Sequence, residues 1–291
     1  MIPRTKNRRM KISIVTPAFN SAKTIRHTIE SVARQTYPNV EYIVVDGGSR
    51  DATAAIVNRY SHVVDLFISE PDRGVYDAMN KGIRAATGDV IAILNSDDFY
   101  THSHVLEQIV AAFQQSKADS IYGDLQYVDP ENTHQVIRHW ESGDYHRRSF
   151  LAGWMPPHPT FFVKREVYKR HGLFNLALKS SADYELMLRF LYKHEVSTAY
   201  VPDVLVRMRA GGLSNASWSN RWRANREDKL AWRINGLKPY FYTTILKPLR
   251  KLEQFFYRPD QRFTVSTKHI PTPFIQEKSS ANIMPDRSIA E

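Results

Sequence analysis

Residues 88–98 read GDVIAILNSDD, and the fold can be worked out from this stretch. Its apolar run has the length and composition of a buried strand and ends in four small polar or acidic residues. Adjacent carboxylates such as Asp97 and Asp98 cost free energy at the end of a buried strand unless something cationic neutralises them. The stretch therefore raises the question of whether a metal ion binds at the end of this strand.

Three strand-and-helix units precede this strand. Strands are predicted over residues 11–17, 40–46 and 63–69, and helices over residues 21–35, 52–60 and 74–86. This alternation with short connections predicts a parallel sheet with helices on its faces. Ligands of such sheets bind beyond the carboxyl ends of the strands. Pro17, Asp46 and the acidic stretch all fall there, so we expect them to converge on one crevice.

The second half of the chain has a different pattern. A helix over residues 103–115 precedes two predicted antiparallel strands, 120–129 and 134–140. Further helices are predicted over residues 164–172 and 181–194, followed by strands and a glycine turn. The predicted organisation is a basic arm (1–10), an α/β domain (11–215), an amphipathic helical extension (216–257) and a disordered tail (258–291).

The net charge of +10 belongs to the ends of the chain. Residues 1–11 carry five Lys or Arg and no acid, and residues 217–291 carry fourteen against seven acids. The 21 basic and 23 acidic residues between them give the body a net charge of −2, so we expect no nucleic-acid partner. Cysteine is absent, which excludes a disulfide framework and thiolate metal sites.

No targeting segment is expected. The first ten residues are positively charged, but a short strand pattern follows them instead of a continuous apolar segment. No run of about 18 apolar residues is present, so we expect no spanning helix. The predicted location is the cytoplasm.

The order of motifs resembles that of the family 2 glycosyltransferases. The matching segments, over roughly residues 11–215, are SIVTPAFN, VDGGSRDAT, DRGVYDAMNKGIRAATGD, NSDD, HPTFFVKREVYKRHGLFN, SADYELMLR and GGLS. The resemblance implies the GT-A fold, which has a Rossmann-like, mostly parallel central sheet flanked by helices. It also implies a small antiparallel region on the acceptor side, to which this chain adds a C-terminal helical extension. Bacterial enzymes that build capsule, exopolysaccharide or lipopolysaccharide chains are the most similar members.

A divalent metal is implied at the acidic stretch. Mg²⁺ and Mn²⁺ prefer oxygen ligands and usually take one or two carboxylates plus substrate phosphates. By resemblance, Asp98 is the direct metal ligand and Asp97 lies nearer the ribose and sugar of the donor. His158 is a candidate to approach the metal or the diphosphate, with a loop or acceptor contact as the alternative. If no metal binds, the two aspartates simply cap the next helix.

The remaining donor contacts follow the same resemblance. The Asp46 carboxylate is expected to accept a hydrogen bond from the nucleotide base, usually uracil, and Pro17 and Phe19 to shape the loop beneath it. Arg73 precedes a helix N-terminus, which favours anions, and Lys81 follows two helical turns later. Both are candidate cations for the diphosphate, and a solvated helix face is the alternative.

Asp183 is the predicted general base. It lies in the first turn of a helix, where the helix dipole favours the ionised form, so it can take the acceptor hydroxyl proton. The family commonly has Glu-Asp where this chain has Ala182-Asp183, and Glu185 is the fallback. Trp154 is a candidate to stack on the acceptor sugar. A single base implies inversion at the anomeric carbon.

The basic C-terminal segment from residue 221 mixes Arg and Lys with Trp, Tyr, Phe and Leu. That composition suits a segment that lies on an anionic membrane, where the acceptor would be lipid-linked and the protein peripheral at the inner face of the plasma membrane. A helical cap on the domain or a homo-oligomer contact is the alternative.

Two other functions were weighed. A nucleotidyltransferase would show a Gly-rich, basic loop after the first strand, which PAFNSAKT is not. A non-enzymatic nucleic-acid-binding protein would show basic and aromatic residues on the folded body. The lack of G-x-G-x-x-G after the first strand excludes a Rossmann dehydrogenase. The sequence therefore favours a glycosyltransferase that uses Mn²⁺ or Mg²⁺ and a nucleotide sugar, with UDP-sugar favoured, and a saccharide or lipid-linked acceptor.

Overall fold

The computed structural model describes residues 9–211, 218–240 and 243, and only the helical backbone of residues 218–222. Within this part of the chain the strands are β1 (Ile12–Ala18), β2 (Val40–Asp46), β3 (Leu66–Ser69), β4 (Val90–Ile93), β5 (Phe99–Tyr100), β6 (Ser120–Val128), β7 (Val136–Trp140), β8 (Phe162–Lys164) and β9 (Thr198–Arg209). The predictions for most of the basic arm, for most of GGLS, for most of residues 241–257 and for the tail 258–291 lie outside the described residues.

Helices cover both faces of the sheet. They are α1 (Ile25–Ala33), α2 (Thr53–Arg59), α3 (Val75–Ala85), α4 (Val105–Ser116), α5 (Arg165–His171), α6 (Ala182–Met187) and α7 (Trp218–Ile234). Two short 3-10 helices, Arg147–Ala152 and His158–Thr160, lie between β7 and β8, and a wider helical turn, Leu188–Lys193, continues α6.

All the described strands belong to one mixed sheet, in the order β3-β2-β1-β4-β8-β6-β9-β5, with β7 paired to β6. The first four strands of this order run parallel, as the βα alternation predicts. All seven residues of β1 are buried, as expected for a parallel strand that is covered on both faces. The carboxyl ends of β1, β2 and β4 therefore meet at one edge, where the acidic turn follows β4.

Two hydrophobic clusters fill the two faces. Ile12 and Ile14 of β1 belong to the cluster that contains α1 and α4, whereas Val15 belongs to the one that contains α3 and α6. This division follows from the alternation of side chains along a strand. The helical spacing of Val75, Met79 and Ile83 predicts one buried face of α3; Met79 and Ile83 are buried, but Val75, in the first turn, is 40% exposed.

The predicted elements of the parallel half are confirmed to within a few residues. In the second half, β6 and β7 are antiparallel as expected, but β6 pairs parallel with β9. The segment predicted as several strands and a turn is the single strand β9, whose pairing with β6 shifts register near Asp124. The two-residue β5 was not predicted, because a pair of residues carries no periodic signal.

Helix α7, at the start of the predicted extension, packs into the main domain. Its Ala231 and Trp232 are fully buried in the same cluster as residues of α3 and α6. The indole nitrogen of Trp232 donates a hydrogen bond to the hydroxyl of Tyr184 in α6 (2.9 Å). The first helix of the extension is therefore part of the domain core. Within the described residues, every helix is too short or too polar to cross a bilayer.

Candidate active site

The acidic turn after β4 is largely buried. Asp98 is fully buried, and its Oδ2 accepts a hydrogen bond from Asn95 Nδ2 (2.9 Å), whereas its Oδ1 has no partner within the described residues. Burial and the neighbouring charge of Asp97 raise the pKa of Asp98 well above its usual range. Burial also raises the pKa of Asp97. Within the protein alone, the negative charge of Asp97 and Asp98 is therefore not fully neutralised.

Arg209 at the end of β9 is a cation beside this pair. Its guanidinium donates a hydrogen bond to the backbone carbonyl of Asp97 and contacts His27 Nδ1 (2.8 Å) in α1. It also lies over the ring of Phe99, 5.2 Å from the centroid. Burial lowers the pKa of Arg209, and Asp97 and Asp98 oppose that change. Sequence reasoning missed Arg209, because its partners are more than 100 residues away.

The acidic turn fits a divalent ion that is shared with a ligand. The Oδ1 of Asp98 is a buried carboxyl oxygen without a partner among the described residues, and Asp97 is its neighbour in the chain. Among the described residues, no three His, Asp or Glu side chains form a metal-binding group. One or two protein carboxylates completed by phosphate oxygens are the usual set for Mg²⁺, so the residues present suit an ion that arrives with a diphosphate.

Asp46, at the end of β2, is fully buried. Its carboxylate accepts hydrogen bonds from the hydroxyl and backbone N–H of Ser49 and from the hydroxyl of Ser69 (2.8 Å). These bonds fix the glycine turn that follows β2. Asp46 thus lies at the carboxyl end of β2, but its carboxylate already has three protein donors, and its contact with a nucleotide base stays a prediction.

Asp72 is a second carboxylate at this strand end. A Cβ built on Gly47 would lie 2.3 Å from Asp72 Oδ2, so the Asp72 carboxylate fills the space that a side chain at position 47 would need. The other oxygen of Asp72 accepts the backbone N–H of Gly74 (2.8 Å). Sequence reasoning did not single out Asp72, which lies 25 residues after the glycine it covers.

Pro17 and Phe19 lie at the end of β1 and in the loop after it. Pro17 is buried within β1, and the ring of Phe19 is 60% exposed. The backbone N–H of Asn20 donates to Ser49 Oγ (2.8 Å), and Asn20 Oδ1 accepts from the N–H of Arg50 (2.9 Å). The loops after β1 and β2 are thus joined, and Phe19 is free to contact a planar ligand.

The two predicted phosphate cations differ in their surroundings. Arg73, next to the N-terminus of α3, has a side chain that is 75% exposed and only a long contact to Asp77 (3.4 Å). Lys81 is paired with Glu70 (2.8 Å) and donates to the carbonyl of Pro71 (2.9 Å). Arg73 is therefore available to an anion, whereas Lys81 already fastens α3 to the loop after β3.

Asp183 is tied to α3. The hydroxyl of Tyr76 donates to Asp183 Oδ1 (3.1 Å), and the ring of Tyr76 stacks on Phe174, with 5.5 Å between centroids. Burial and the charge of Asp183 raise the pKa of Tyr76 well above its usual range. A narrow cleft beside these residues is lined by Arg73, Tyr76 and Lys179, among others. Tyr76, which sequence reasoning missed, thus lies between the N-terminus of α3 and the predicted base.

His158 lies on the side of the site that contains Asp183. Its ring is 5.8 Å from that of Phe174, and its buried Nε2 has no hydrogen-bond partner among the described residues. Burial lowers the pKa of His158, and the charge of Asp183 opposes the change. His158 does not join the two aspartates in a three-residue metal group, so the structure gives no support to its assignment as a metal ligand.

Glu185 and Trp154 both have structural contacts. Glu185 is buried and pairs with Arg189 Nε (2.9 Å). Trp154 donates its indole N–H to the carbonyl of Ser142 (2.8 Å) and packs edge-on against Tyr122 at 5.7 Å. Glu185, the fallback base, is thus engaged in a buried ion pair. Trp154, the candidate to stack on the acceptor sugar, lies in an aromatic cluster.

The raised pKa of Tyr127 in β6 depends in part on two of the predicted site residues. Burial raises the pKa of Tyr127, Arg138 opposes that change, and the carboxylates of Asp98 and Asp183 raise it further. The roles of Asp98 as metal ligand and of Asp183 as base stay predictions.

Comparison with known proteins agrees with this geometry. The model of the family "Glycosyl transferase family 2" matches residues 13–172. The chain is similar to a PGL/p-HBAD biosynthesis glycosyltransferase of Mycobacterium tuberculosis (strain ATCC 25618 / H37Rv), with 31% identity over 208 residues that cover 70% of this chain and 78% of that protein. An uncharacterized glycosyltransferase of Rickettsia typhi (strain ATCC VR-144 / Wilmington) is 30% identical over 68% of this chain and 63% of its own length.

Two solved structures show the same fold. S. aureus TarS 1–349 in complex with UDP-GlcNAc has a TM-score of 0.62 at 19% identity, covering 85% of this chain and 73% of that one. The mannosyltransferase PcManGT from Pyrobaculum calidifontis, in complex with GDP-Man and Mn²⁺, has a TM-score of 0.58 at 20% identity, covering 82% and 69%. With its GT-A fold and the family match over more than half of its length, the chain belongs to glycosyl transferase family 2.

Proposed function

We propose that this protein is an inverting, divalent-metal-dependent glycosyltransferase of cell-surface polysaccharide biosynthesis. It would transfer a sugar from a nucleotide donor, with UDP the favoured nucleotide, to a saccharide or lipid-linked acceptor. The observation that carries the proposal is the buried, unpartnered Oδ1 of Asp98 in the turn after β4 of a chain that belongs to this family, because transfer needs a site for the donor diphosphate and a base for the acceptor. The complexes of similar proteins with UDP-GlcNAc and GDP-Man support a nucleotide-sugar donor.

The chemical step needs one proton acceptor. The acceptor hydroxyl oxygen forms a bond to the anomeric carbon, the bond from that carbon to the diphosphate oxygen breaks, and the hydroxyl proton passes to Asp183. Because the attack comes from the side opposite the leaving group, the configuration inverts. The bond from Tyr76 to Asp183 Oδ1 leaves Oδ2 of the carboxylate for the incoming proton.

The donor diphosphate would bind between the acidic turn and the N-terminus of α3. Mn²⁺ or Mg²⁺ held by Asp98 and Asp97 would supply Lewis acidity toward the leaving oxygen. Arg73 is the proposed cation for the diphosphate because its side chain is largely exposed and weakly paired. Phe19 and Asp46 are proposed near the base, where the two strand-end loops are joined.

The acceptor side is proposed around Asp183. His158 fits an acceptor contact better than a metal contact, because its buried, unpartnered Nε2 lies where Asp183 influences it. Glu185 is left out of the proposed site, since Arg189 and Asn235 occupy its carboxylate. The family membership decides against the nucleotidyltransferase and the non-enzymatic binding protein as alternatives.

The outward face of α7 supports a membrane-associated acceptor. Its exposed residues combine cationic with apolar side chains: Arg226, Lys229, Leu230, Arg233 and Ile234. The acids of the same stretch, Glu227 and Asp228, are buried. A face with this composition suits peripheral contact with anionic lipid, and because α7 packs on α6 it would hold the site near a lipid-linked acceptor.

The test separates donor binding from transfer. UDP affinity is measured by calorimetry with Mn²⁺ and with EDTA, and transfer is measured with a panel of nucleotide sugars. Asp98→Ala should abolish the part of UDP affinity that depends on Mn²⁺, and Asp183→Asn should leave UDP affinity intact while stopping transfer. Asp119→Asn, which alters an ion pair with Lys164 (3.0 Å) on the surface, is the matched control.

Three results would contradict the proposal. Unchanged UDP affinity in Asp98→Ala with Mn²⁺ present would exclude the metal role of the acidic turn. Near-normal turnover in Asp183→Asn would show that another group accepts the proton. Retention of configuration in the product would likewise rule out the single-base mechanism.

A further inference from the structure

Three backbone N–H groups before α6 point at one carboxylate of α7. Glu227 Oε1 accepts the N–H of Lys179 (3.1 Å), and its Oε2 accepts those of Ser180 (2.7 Å) and Ser181 (3.0 Å). Glu227 is 9% exposed. The N–H groups that precede and begin a helix have no intrahelical acceptor, and here α7 supplies one. The turn that leads into Asp183 is thus fixed by a side chain from a distant segment.

Further contacts continue this attachment along α6. The hydroxyl of Ser181 donates to the carbonyl of Ala224 (3.3 Å), and Asn235 Nδ2 donates to Glu185 Oε1 (3.0 Å). Together with the Trp232–Tyr184 bond, they join the start and the middle of α6 to α7 and to the residue that follows it. A hydrogen bond to a buried group is costly to leave unmade, so these contacts hold α6 against α7.

The opposite side of Asp183 is held by α3. Tyr76 donates to Asp183 Oδ1 (3.1 Å), and its ring stacks on Phe174. Phe174 is itself clamped by Asn80 of α3, whose Oδ1 accepts its backbone N–H (2.9 Å) and whose Nδ2 donates to its carbonyl (2.9 Å). The hydroxyl of Tyr76 therefore has little freedom to leave the carboxylate.

We propose that Tyr76 and Glu227 are positioning residues that hold Asp183 from two sides, with Tyr76 orienting its carboxylate and Glu227 fixing the backbone turn that carries it. The inference rests on the proposed role of Asp183 as the base. It makes α7, which lies beyond residues 13–172 of the family match, a part of the catalytic machinery. It also joins the base to the helix whose N-terminus lies beside Arg73.

Positioning of this kind affects turnover more than binding. A misplacement of about 1 Å in a catalytic group costs on the order of 100-fold in rate. The hydroxyl of Tyr76 is bonded to Asp183 and the carboxylate of Glu227 to the backbone before α6, so the loss of either group should affect turnover much more than donor affinity. A loss of kcat at constant donor KM is the expected signature.

The experiment compares two variants with two matched controls. Tyr76→Phe removes one hydroxyl and keeps the ring, and Glu227→Gln replaces one accepting oxygen by an NH₂ group that faces backbone N–H groups. Tyr60→Phe removes a similar bond from a tyrosine hydroxyl to Glu30 (2.6 Å). Glu41→Gln alters a carboxylate that accepts the backbone N–H of Thr87 (2.7 Å) at the opposite edge of the sheet.

We expect kcat to fall about tenfold in Tyr76→Phe and at least tenfold in Glu227→Gln. The donor KM and the UDP affinity should stay within twofold of wild type. The two controls should keep wild-type kcat, even where thermal unfolding shows a stability loss as large as that of Glu227→Gln. This comparison separates positioning from a general loss of stability.

Unchanged kcat in both Tyr76→Phe and Glu227→Gln, with Asp183→Asn inactive, would overturn this inference and leave the proposed function standing. A kcat loss that simply follows the loss of stability across variants and controls would overturn it as well. If Asp183→Asn itself keeps near-normal turnover, the proposed function is what fails.

Discussion

The guanidinium of Arg209, the last residue of β9, donates a hydrogen bond to the backbone carbonyl of Asp97 in the turn after β4. This bond joins the end of β9 to the acidic turn. It places a positive charge beside the carboxylates of Asp97 and Asp98, which are largely buried. In the protein alone, Arg209 therefore neutralises part of the negative charge of Asp97 and Asp98. A divalent ion would supply the rest, because one oxygen of Asp98 has no partner among the described residues.

Replacing Arg209 should make the stability of the protein depend on metal. Arg209→Gln leaves two buried carboxylates without their cation, at a cost of about 3 kcal/mol by analogy with broken buried ion pairs. We expect a lower Tm in EDTA and partial recovery when Mn²⁺ is added. Differential scanning calorimetry measures both values, and Arg59→Gln, on an exposed side chain, is the control. Equal losses with and without Mn²⁺ would count against this role.

Substitution of Gly47 should disturb the α3 N-terminus through Asp72. A Cβ at position 47 would lie 2.3 Å from Asp72 Oδ2, so the Asp72 carboxylate has to move. That movement weakens its bond to the N–H of Gly74, next to Arg73. We expect Gly47→Ala to weaken UDP binding about tenfold, roughly the value of one hydrogen bond to a charged group.

The double variant provides the control for Gly47→Ala. In an Asp72→Ala background the space above position 47 is empty, so Gly47→Ala should cause little further loss of affinity. Calorimetric titration of UDP against the two single variants and the double variant measures this coupling. Fully additive effects would mean that the two positions act independently.

Glu41 should stabilise the fold at neutral pH and lose that contribution in acid. Burial alone would raise the pKa of Glu41, but hydrogen bonds from Lys11, Ser13 and Thr87 outweigh it and bring the pKa down from 4.5 to about 2. A carboxylate whose pKa is lowered by folding contributes stability above its unfolded pKa and loses it as the pH falls through the folded value.

The test is urea unfolding of Glu41→Gln at pH 7 and at lower pH. We expect the variant to lose about 2–3 kcal/mol at pH 7, with the difference from wild type shrinking as the pH falls from 4.5 toward 2. Glu166→Gln, whose ion pair with Lys169 is exposed and screened by solvent, should change stability far less than Glu41→Gln at pH 7. A difference for Glu41→Gln that stays constant with pH would contradict the assignment.

The outward face of α7 should bind anionic vesicles. Arg226→Glu combined with Arg233→Glu reverses two exposed charges on this face, and each cation near a charged surface contributes about 1 kcal/mol. We expect co-sedimentation with phosphatidylserine-containing vesicles to fall more than tenfold, and kcat on a soluble acceptor to stay unchanged. Arg59→Glu combined with Lys169→Glu reverses two charges elsewhere. Equal binding by both double variants would exclude a specific role for α7.

Much of the parallel half of the fold could be predicted from the sequence because its signals are local. Strand β2 begins and ends at the predicted residues, and β1 and β4 differ by only one residue at either end. Because the carboxyl ends of parallel strands meet at one edge of the sheet, Asp46 and the acidic turn could be placed at the same edge. Asp183 was singled out from a local motif at the start of a helix, and in the structure its carboxylate accepts a hydrogen bond from Tyr76 of α3.

The residues that sequence reasoning missed act through partners that are far away in the sequence. Tyr76, Asp72 and Arg209 carry no local signal, since each matters through a group that only the folded chain brings near. Glu185 is the opposite case, in which a local signal was misleading. Its position in the first turn of a helix suits a base, but Arg189, one turn later, forms an ion pair with it. The basic C-terminal segment was interpreted from composition alone, which does not show that Glu227 and Trp232 face inward.

The pairing of β5 with β9 has a consequence for biosynthesis. Phe99 and Tyr100 find their strand partners at Arg207 and Val206, so the turn that contains Asp97 and Asp98 is closed only when the ribosome has delivered more than 100 further residues. The neighbouring strands β1, β2 and β4 can pair as soon as they emerge, because their contacts are short-range in sequence. The parallel strands can therefore form before the catalytic centre is complete, and a chain truncated before β9 should be inert because it lacks the strand that pairs with β5 and β6.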